Sequence, residues 1–318
     1  MEVFLKLIDK ADVFLNNMSI PAPGRMGISP EVLLARNPRL IYAHASGWGR
    51  KGPDADDYSF DYTGIARSGL MMACGEKDAP PTQVLPGIGD EVGALTCAWA
   101  VTAALYAREK TGRGQVVDTS LTGSVIASLG LIMAAPAMLG SEFPREVRTE
   151  AGNPIYNHYR CQDNQWVALA HLQPDRYWPN VCKALGLEEL IEDRRFNNIE
   201  ARSSNAKELV AVFDERFSTR PREEWLILLE QAGCICTPVQ TPKEVSNDRQ
   251  ALANDYFVYT DHPEHGKTKM VGFPWAFSDT PASCRLPAPE LGQHTEQILS
   301  DLGYNAMKIA ELREQKVI

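Results

Sequence analysis

The chain has 318 residues, of which 44% are hydrophobic and 23% are charged, and it carries a net charge of −9. This is an ordinary globular composition, and the length suffices for one large domain or two smaller ones. An acidic chain without a basic block argues against binding to nucleic acids or anionic membranes. The chain has no run of about 18 apolar residues, so no transmembrane span is expected, and early charges argue against a signal peptide.

In the first part of the chain, short apolar runs and long apolar stretches alternate. Residues 39–46 predict a buried strand that runs into a glycine turn, and residues 91–108 predict a long, largely buried helix. Residues 115–120 alternate as a strand does, and residues 121–139 predict a second apolar helix. This alternation of strands and helices predicts an α/β layer architecture.

The pattern changes after residue 140, because residues 141–153 are polar and interrupted by proline and glycine, as in a linker. We therefore expect a large domain over 1–140, a small α+β domain over 154–275, and a return linker with C-terminal helices over 276–318. The elements predicted there are strands at 155–161, 166–171 and 234–240, weaker strands at 257–260 and 269–271, and helices at 177–185, 205–218, 222–232, 295–302 and 306–315.

Seven cysteines are scattered along the chain, and none of them forms a C-x-x-C pair. Cys234 and Cys236 could suggest a metal site, but no histidine or second cysteine pair stands at ligand spacing nearby. Buried free thiols in a reducing cytosol are the better interpretation. The sequence thus predicts a cytoplasmic protein with no metal.

Residues 86–90 contain two glycines and then Asp90, at the start of the predicted long helix. The N-terminus of a helix favours the charged form of a carboxylate. Asp90 could be a plain N-cap residue. It could also be a carboxylate nucleophile in a glycine pocket whose backbone N–H groups stabilise an oxyanion. The residues alone leave both interpretations open.

Three further residues have a functional and a structural interpretation. Asp61 could pair with Asp90, or it could be a solvated acid in a loop. His44 could be a general base, but a histidine in a buried strand is more often a hydrogen-bonded core residue. His294 precedes a predicted helix, where capping is the simpler interpretation.

Seven segments of the chain form an ordered set of motifs that spans nearly its full length. The segments are ADVFLNNMSIPAPGRMGIS, NPRLIYAHASGWGRKGP, SFDYTGIARSGLM, PGIGDEVGAL, TGRGQVVDTSL, GNPIYNHYRCQDNQWVALA and LGQHTEQILSDLGYNAMKIAELREQKVI. In this order they resemble the motifs of the family III CoA-transferases, the group of formyl-CoA transferase and carnitine CoA-transferase.

The resemblance implies a Rossmann-like large domain, a smaller α+β domain and an interlocked homodimer. It places Asp90 at the position of the family's nucleophile, which attacks an acyl-CoA thioester, carries CoA as an aspartyl thioester and passes it to an acceptor carboxylate. Acyl-CoA and a small carboxylic acid are then the substrates. No permanently bound cofactor is expected.

The resemblance also assigns roles to other positions of this chain. Asn17, Met18 and Arg25 match positions that line the CoA pocket, where a cation suits phosphate. Phe60 and Asp61 match an aromatic–acid pair beside the nucleophile, and Gly89 lies in the segment that carries it. We therefore expect Asp61 to be catalytic and Phe60 and Gly89 to contact CoA. Gly152 and Asn153 match a mobile glycine loop that covers the active site, and Gly152 is expected to be catalytic.

Three departures from the family pattern open alternatives. Family members carry an N-terminal Rossmann-like stretch before the first matching motif, and we expect this stretch to be absent here. Part of the CoA site would then be missing or completed by a partner chain. Met18 and Ser19 replace the usual Phe-Arg, and Asn16 replaces an acid. The racemase branch uses a histidine where Phe60 stands. The alternatives are therefore an acyl-CoA racemase or epimerase, or a non-catalytic subunit that binds CoA or a partner.

Overall fold

The structure is a computed structural model that describes residues 1–318. The chain forms two compact units, one made of Met1–Arg145 with Gly292–Ile318 and the other of Glu146–Leu291. The first break falls inside the segment 141–153, which the sequence predicts as a linker, and the second falls inside 276–318, the predicted return linker with C-terminal helices.

The first unit consists of a small parallel sheet and the helices around it. Its elements in chain order are α1 (Glu2–Lys10), β1 (Val13–Asn16), α2 (Ala22–Arg25), α3 (Pro30–Arg36), β2 (Ile41–Ser46), α4 (Asp61–Arg67), α5 (Leu70–Ala73), α6 (Ile88–Thr111), β3 (Gln115–Ser120), α7 (Leu121–Ser128) and α8 (Gly130–Leu139).

The sheet has the order β1-β2-β3, and both pairs of neighbouring strands are parallel. The parallel sheet with its helices confirms the predicted α/β class. The register places Asn16 beside His44 and His44 beside Asp118, so one polar row crosses the end of the sheet. In open α/β sheets, the carboxyl ends of the strands are where ligands bind.

The predicted apolar helix over 121–139 is wrong as a single element, because α7 and α8 are bent by 86°. The break has local causes. The Ser128 hydroxyl donates to the carbonyl of Val125 over 2.7 Å, which competes with the backbone pattern. Gly130 follows, and glycine is among the poorest helix formers.

Helix α6 is longer than predicted by three residues at each end, and Gly112, with φ 72°, terminates it. By length and composition α6 could cross a membrane, and α7 with α8 could do so if the bent pair formed one span. Helices of this length and composition also occur in the cores of proteins that cross no membrane. The absence of a transmembrane span therefore stays a prediction.

The second unit has an antiparallel sheet in the order β4-β5-β6, a separate β7-β8 hairpin and a layer of helices. Its elements are β4 (His158–Arg160), β5 (Trp166–Leu169), α9 (Pro174–Leu185), α10 (Ile199–Ser204), α11 (Ala206–Phe217), α12 (Arg222–Gln231), β6 (Cys236–Val239), α13 (Pro242–Val245), α14 (Arg249–Ala253), β7 (Phe257–His262) and β8 (Gly266–Val271), with 3₁₀ turns at Arg148–Glu150 and Glu188–Leu190.

The last two helices, α15 (Thr295–Asp301) and α16 (Ala306–Glu314), belong to the first unit. Leu299, Tyr304, Ile309 and Leu312 are buried there, with Val3 of α1 packed against them. His294 occupies the N-cap position of α15, but its side chain makes no capping hydrogen bond, so the capping interpretation is wrong.

Candidate active site

The turn that begins α6 depends on a glycine. Gly87 is the N-cap residue and has φ 85°, a left-handed conformation in which an L side chain is strained. The helix starts at Ile88, so Asp90 is its third residue and not its N-cap. The N-cap interpretation of Asp90 is therefore wrong, and its carboxylate is exposed on the first turn.

The cap of α6 comes from a different element. Asp61 is the first residue of α4, and its Oδ2 accepts a hydrogen bond from the N–H of Gly87 at 2.9 Å. Its Oδ1 accepts from the N–H groups of Gly89 at 2.7 Å and of Asp90 at 3.3 Å. Asp61 is thus not a solvated loop acid, because its carboxylate satisfies donors that a helix start otherwise leaves unpaired.

The other backbone donors of this turn are also engaged. The N–H of Ile88 donates to the carbonyl of Leu85 at 3.3 Å, and that of Glu91 donates to the carbonyl of Gly87 at 2.9 Å. The sequence interpretation used these N–H groups as oxyanion donors. In the folded chain none of the five from Gly87 to Glu91 is free for that role.

Gly89 is buried where three elements meet. A Cβ atom at Gly89 would lie 2.8 Å from Cγ2 of Ile65, 2.9 Å from Oδ1 of Asp61 and 3.1 Å from Cδ2 of Leu121. The absence of a side chain at Gly89 therefore lets the backbone of α6 approach Asp61 and the packed side chains around it. The role of Gly89 in binding CoA stays a prediction.

The electrostatics of Asp90 differ from the expectation for a helix N-terminus. Partial desolvation of its carboxylate, then the charge of Asp61 and then that of Glu91, raise the pKa of Asp90 above its usual value. The backbone N–H of Asp90 itself donates to Asp61, so this donor serves the carboxylate of Asp61 and not that of Asp90. The pKa of a nucleophile at this position therefore lies on the high side for an aspartate.

The residues predicted to line the CoA pocket lie between β1 and α3. Asn17 and Arg25 are exposed, and Arg25, the last residue of α2, makes no ion pair within the chain. Met18 is partly buried against the cluster of Ile8, Ile28, Leu33, Leu40 and Tyr42. Phe60, next to Asp61, is 74% exposed. An unpaired guanidinium and an exposed ring are available to a ligand, and the CoA-binding roles stay predictions.

Gly152 belongs to the second unit. A Cβ atom there would lie 3.8 Å from both Glu146 Oε1 and Ser203 Oγ, so the position has ordinary packing space. The next residue, Asn153, donates from its amide to the carbonyl of His171 at 2.9 Å. The catalytic role of Gly152 and the mobility of its loop stay predictions.

His44 fits the structural interpretation, since it is 3% exposed and its Nε2 lies 2.9 Å from the carbonyl oxygen of Met18. Its Nδ1 has no hydrogen-bond partner and lies 3.7 Å from Oδ1 of Asp118. Sequence reasoning missed Asp118, which the strand register places beside His44. A cavity of about 120 Å³ adjoins His44 and Arg50.

The seven cysteines are free, and four of them are buried. Burial raises the pKa of Cys234 to about 12 and that of Cys236 to about 11. Such thiols remain protonated at neutral pH and are poor nucleophiles and poor metal ligands. This agrees with the interpretation of the pair as structural.

Comparison with known proteins gives the chain a family context. The sequence model of CoA-transferase family III matches residues 1–295. The (R)-2-hydroxy-4-methylpentanoate CoA-transferase of Clostridioides difficile is 32% identical over 319 aligned residues, which cover 100% of this chain and 79% of that protein. The cinnamoyl-CoA:phenyllactate CoA-transferase of Clostridium sporogenes is 30% identical, over 100% of this chain and 78% of that protein.

A solved structure has the same fold. The crystal structure of a CaiB/BaiF family protein from Brucella suis superimposes with a TM-score of 0.86 at 27% sequence identity. The superposition covers 95% of this chain and 78% of that one. The similarity therefore extends over both units.

Proposed function

This chain belongs to CoA-transferase family III, and we propose that it moves CoA from an acyl-CoA donor to a carboxylic acid through a covalent intermediate on Asp90. CoA transfer as such follows from the family and from relatives that are named CoA-transferases. The observation that carries the finer proposal is the exposed carboxylate of Asp90 on a helix turn that Asp61 holds in place.

The proposed reaction has two matched halves. The Asp90 carboxylate attacks the thioester carbonyl of the donor, which releases CoA thiolate and leaves a mixed anhydride on Asp90. The thiolate attacks the carbonyl carbon of Asp90, which gives the aspartyl-CoA thioester and frees the donor carboxylate. The acceptor carboxylate then attacks this thioester, and the released thiolate takes the acceptor acyl group and regenerates Asp90. Each covalent step replaces one difficult transfer by easier ones.

The acceptor is proposed to be a 2-hydroxy carboxylic acid. Two relatives with 32% and 30% identity are named for (R)-2-hydroxy-4-methylpentanoate and for phenyllactate, and both of these acids carry a hydroxyl group beside the carboxylate. A human relative that is 31% identical is named for succinyl-CoA and glutarate, which lack that hydroxyl. Assays that compare acceptor acids with and without this hydroxyl group therefore test the proposed acceptor class.

A cytoplasmic homodimer is proposed as the working form. Only 17% of the apolar stretch of α6 is buried in the single chain. Leu95, Trp99 and Tyr106 are 63%, 77% and 68% exposed, and their spacing along the helix places them on one face. A second copy that covers this surface would remove a large apolar area from water.

The deciding experiment is intact-protein and peptide mass spectrometry after incubation with cinnamoyl-CoA, succinyl-CoA and the CoA ester of 2-hydroxy-4-methylpentanoate. We expect an adduct of the mass of CoA that maps to Asp90 and reacts with hydroxylamine. Asp90→Asn should abolish it. Glu91→Gln, which alters the neighbouring carboxylate on the same turn, should retain it.

The other outcomes favour the alternatives. Exchange of deuterium into the Cα position of a 2-substituted acyl-CoA, without transfer, would overturn the proposal in favour of a racemase or epimerase. No adduct from any donor, in a protein that is folded and dimeric, would favour a subunit that binds CoA or a partner.

A further inference from the structure

We propose that Asp61 is a positioning residue: its carboxylate fixes the first turn of α6 so that Asp90 meets the thioester in one orientation, and it takes no part in bond making. This inference rests on the proposed role of Asp90. It differs from the sequence interpretation, which made Asp61 a catalytic partner of Asp90.

Both oxygens of the Asp61 carboxylate are already used. Oδ1 receives two backbone N–H groups, from Gly89 and Asp90, and Oδ2 receives a third, from Gly87. Hydrogen bonds to a charged acceptor are the strong ones, so they hold the carboxylate in one orientation. A carboxylate engaged by three backbone donors already has a structural task, whereas Asp90 next to it is exposed.

The backbone that carries Asp61 is itself anchored. The Thr63 hydroxyl receives the N–H of Phe60 at 3.0 Å and donates to the carbonyl of Phe60 at 2.9 Å, which fixes the start of α4. One turn further, Ile65 is fully buried in a cluster against which Ile88 and Val92 of α6 pack. Hydrogen bonds at the first turn and packing at the second therefore join α4 to the start of α6 as one piece.

The main alternative is that Asp61 is a stand-in for an oxyanion, displaced when substrate arrives. Three converging N–H groups would suit such an oxyanion. Displacement would, however, require a short side chain on an anchored helix to move away, and the freed carboxylate would lie close to that of Asp90. The geometry therefore favours a clamp, in which the Asp61 carboxylate stays bonded to the N–H groups of Gly87, Gly89 and Asp90.

The charges around Asp90 give the clamp a measurable signature. Asp61 and Glu91 act on Asp90 in the direction that raises its pKa, after the effect of partial desolvation. On α4, the charge of Arg67 is paired with that of Asp54 at 2.5 Å. Helix α7 carries no titratable side chain, and Asp118 on the sheet is paired with Arg50. Neutralising Asp61 should therefore lower the pKa of Asp90.

The first test needs no substrate. Hydrogen–deuterium exchange of the intact protein reports on the amides of Gly87, Gly89 and Asp90 in Asp61→Ala, Asp61→Asn and the control Asp57→Asn. Asp57 is an exposed loop acid whose removal changes the charge equally. Loss of hydrogen bonds to a charged group should speed exchange at the three amides by about tenfold or more in Asp61→Ala. Unchanged exchange would overturn the clamp.

The second test follows the rate of CoA-adduct formation on Asp90 against pH, with the donor that labels the wild-type protein best. In Asp61→Ala we expect the maximal rate to fall by about 10- to 100-fold with a smaller change in the donor concentration for half-maximal rate. In Asp61→Asn the acid limb should move to lower pH, because Asp90 must be ionised to attack and its pKa is no longer raised by Asp61.

The outcomes separate the two proposals. A rate in Asp61→Ala that equals or exceeds that of the wild-type protein would overturn the clamp in favour of the displaced stand-in. An acid limb that stays in place in Asp61→Asn would also count against it. If even the wild-type protein gives no adduct, the proposed function fails, and the exchange experiment alone still decides whether Asp61 holds the turn.

Discussion

The two units of the chain use their large apolar side chains in different ways. In the second unit Trp178, Phe213, Phe217 and Trp225 are almost fully buried within one large core cluster. In the first unit the buried side chains form several small clusters, and Trp99 of the central helix is 77% exposed. The second unit is thus stabilised mainly by its own core, whereas the first leaves large apolar side chains exposed and holds the start of α6 by hydrogen bonds.

The largest effect is expected in the core of the second unit. Trp225 is fully buried, and its Nε1 donates to the carbonyl of Phe217 at 2.8 Å. Trp225→Ala leaves a cavity and an unpaired carbonyl, so it should lower the free energy of unfolding by about 3–5 kcal/mol. Denaturant unfolding measures this, with Trp275→Ala, at a residue that is 52% exposed, as the control. Equal losses in both variants would contradict the comparison.

A smaller effect is expected on the exposed face of α6. Trp99→Ala should weaken the dimer by about 2 kcal/mol, the loss typical of a central aromatic residue in an interface, and should leave the secondary structure of the chain intact. Sedimentation equilibrium of the variant beside the wild-type protein measures the dissociation constant. A wild-type monomer, or a Trp99→Ala dimer of unchanged affinity, would remove α6 from the proposed interface.

The smallest effect is expected at the start of α6, where two glycines of one helix form a matched pair. Gly89→Ala places a Cβ atom 2.8 Å from Ile65 and 2.9 Å from Asp61, whereas Gly93→Ala meets only Leu121 at 3.8 Å. Gly89→Ala should cost roughly 1–2 kcal/mol of stability and slow adduct formation. Gly93→Ala should stabilise α6 by about 0.5–1 kcal/mol. Thermal unfolding and the adduct rate together test both, and a neutral Gly89→Ala would show that the turn is loosely packed.

The sequence predicted those elements whose signal lies within the element itself. Strand β3 begins and ends at the predicted residues. Helix α11 is one residue shorter than predicted at each end, and α12 is one residue shorter at its C-terminal end. Alternation in a strand and apolar periodicity in a helix are local patterns, and so is the glycine that ends α6. The family resemblance likewise needed only motifs in order, and it located Asp90 and Asp61 without any coordinates.

Several short elements were not predictable in this way. The turns α2, α5, α13 and α14 have four or five residues, which is too short for a periodic pattern, and α4 begins inside what reads as a polar loop. The bend between α7 and α8 was missed because every residue of 121–139 is apolar or small, and periodicity alone does not reveal a break.

The sequence by itself determined the family, the α/β class and the identity of the candidate nucleophile. Only the tertiary structure decided what the residues around that nucleophile do. Asp61 lies 29 positions before Asp90, yet its carboxylate caps the helix that carries Asp90. The N–H groups that the sequence offered as oxyanion donors are consequently occupied, and the pKa of Asp90 is raised rather than lowered. Hydrogen bonding and electrostatics depend on distances between segments that are remote in the chain, and folding alone sets those distances.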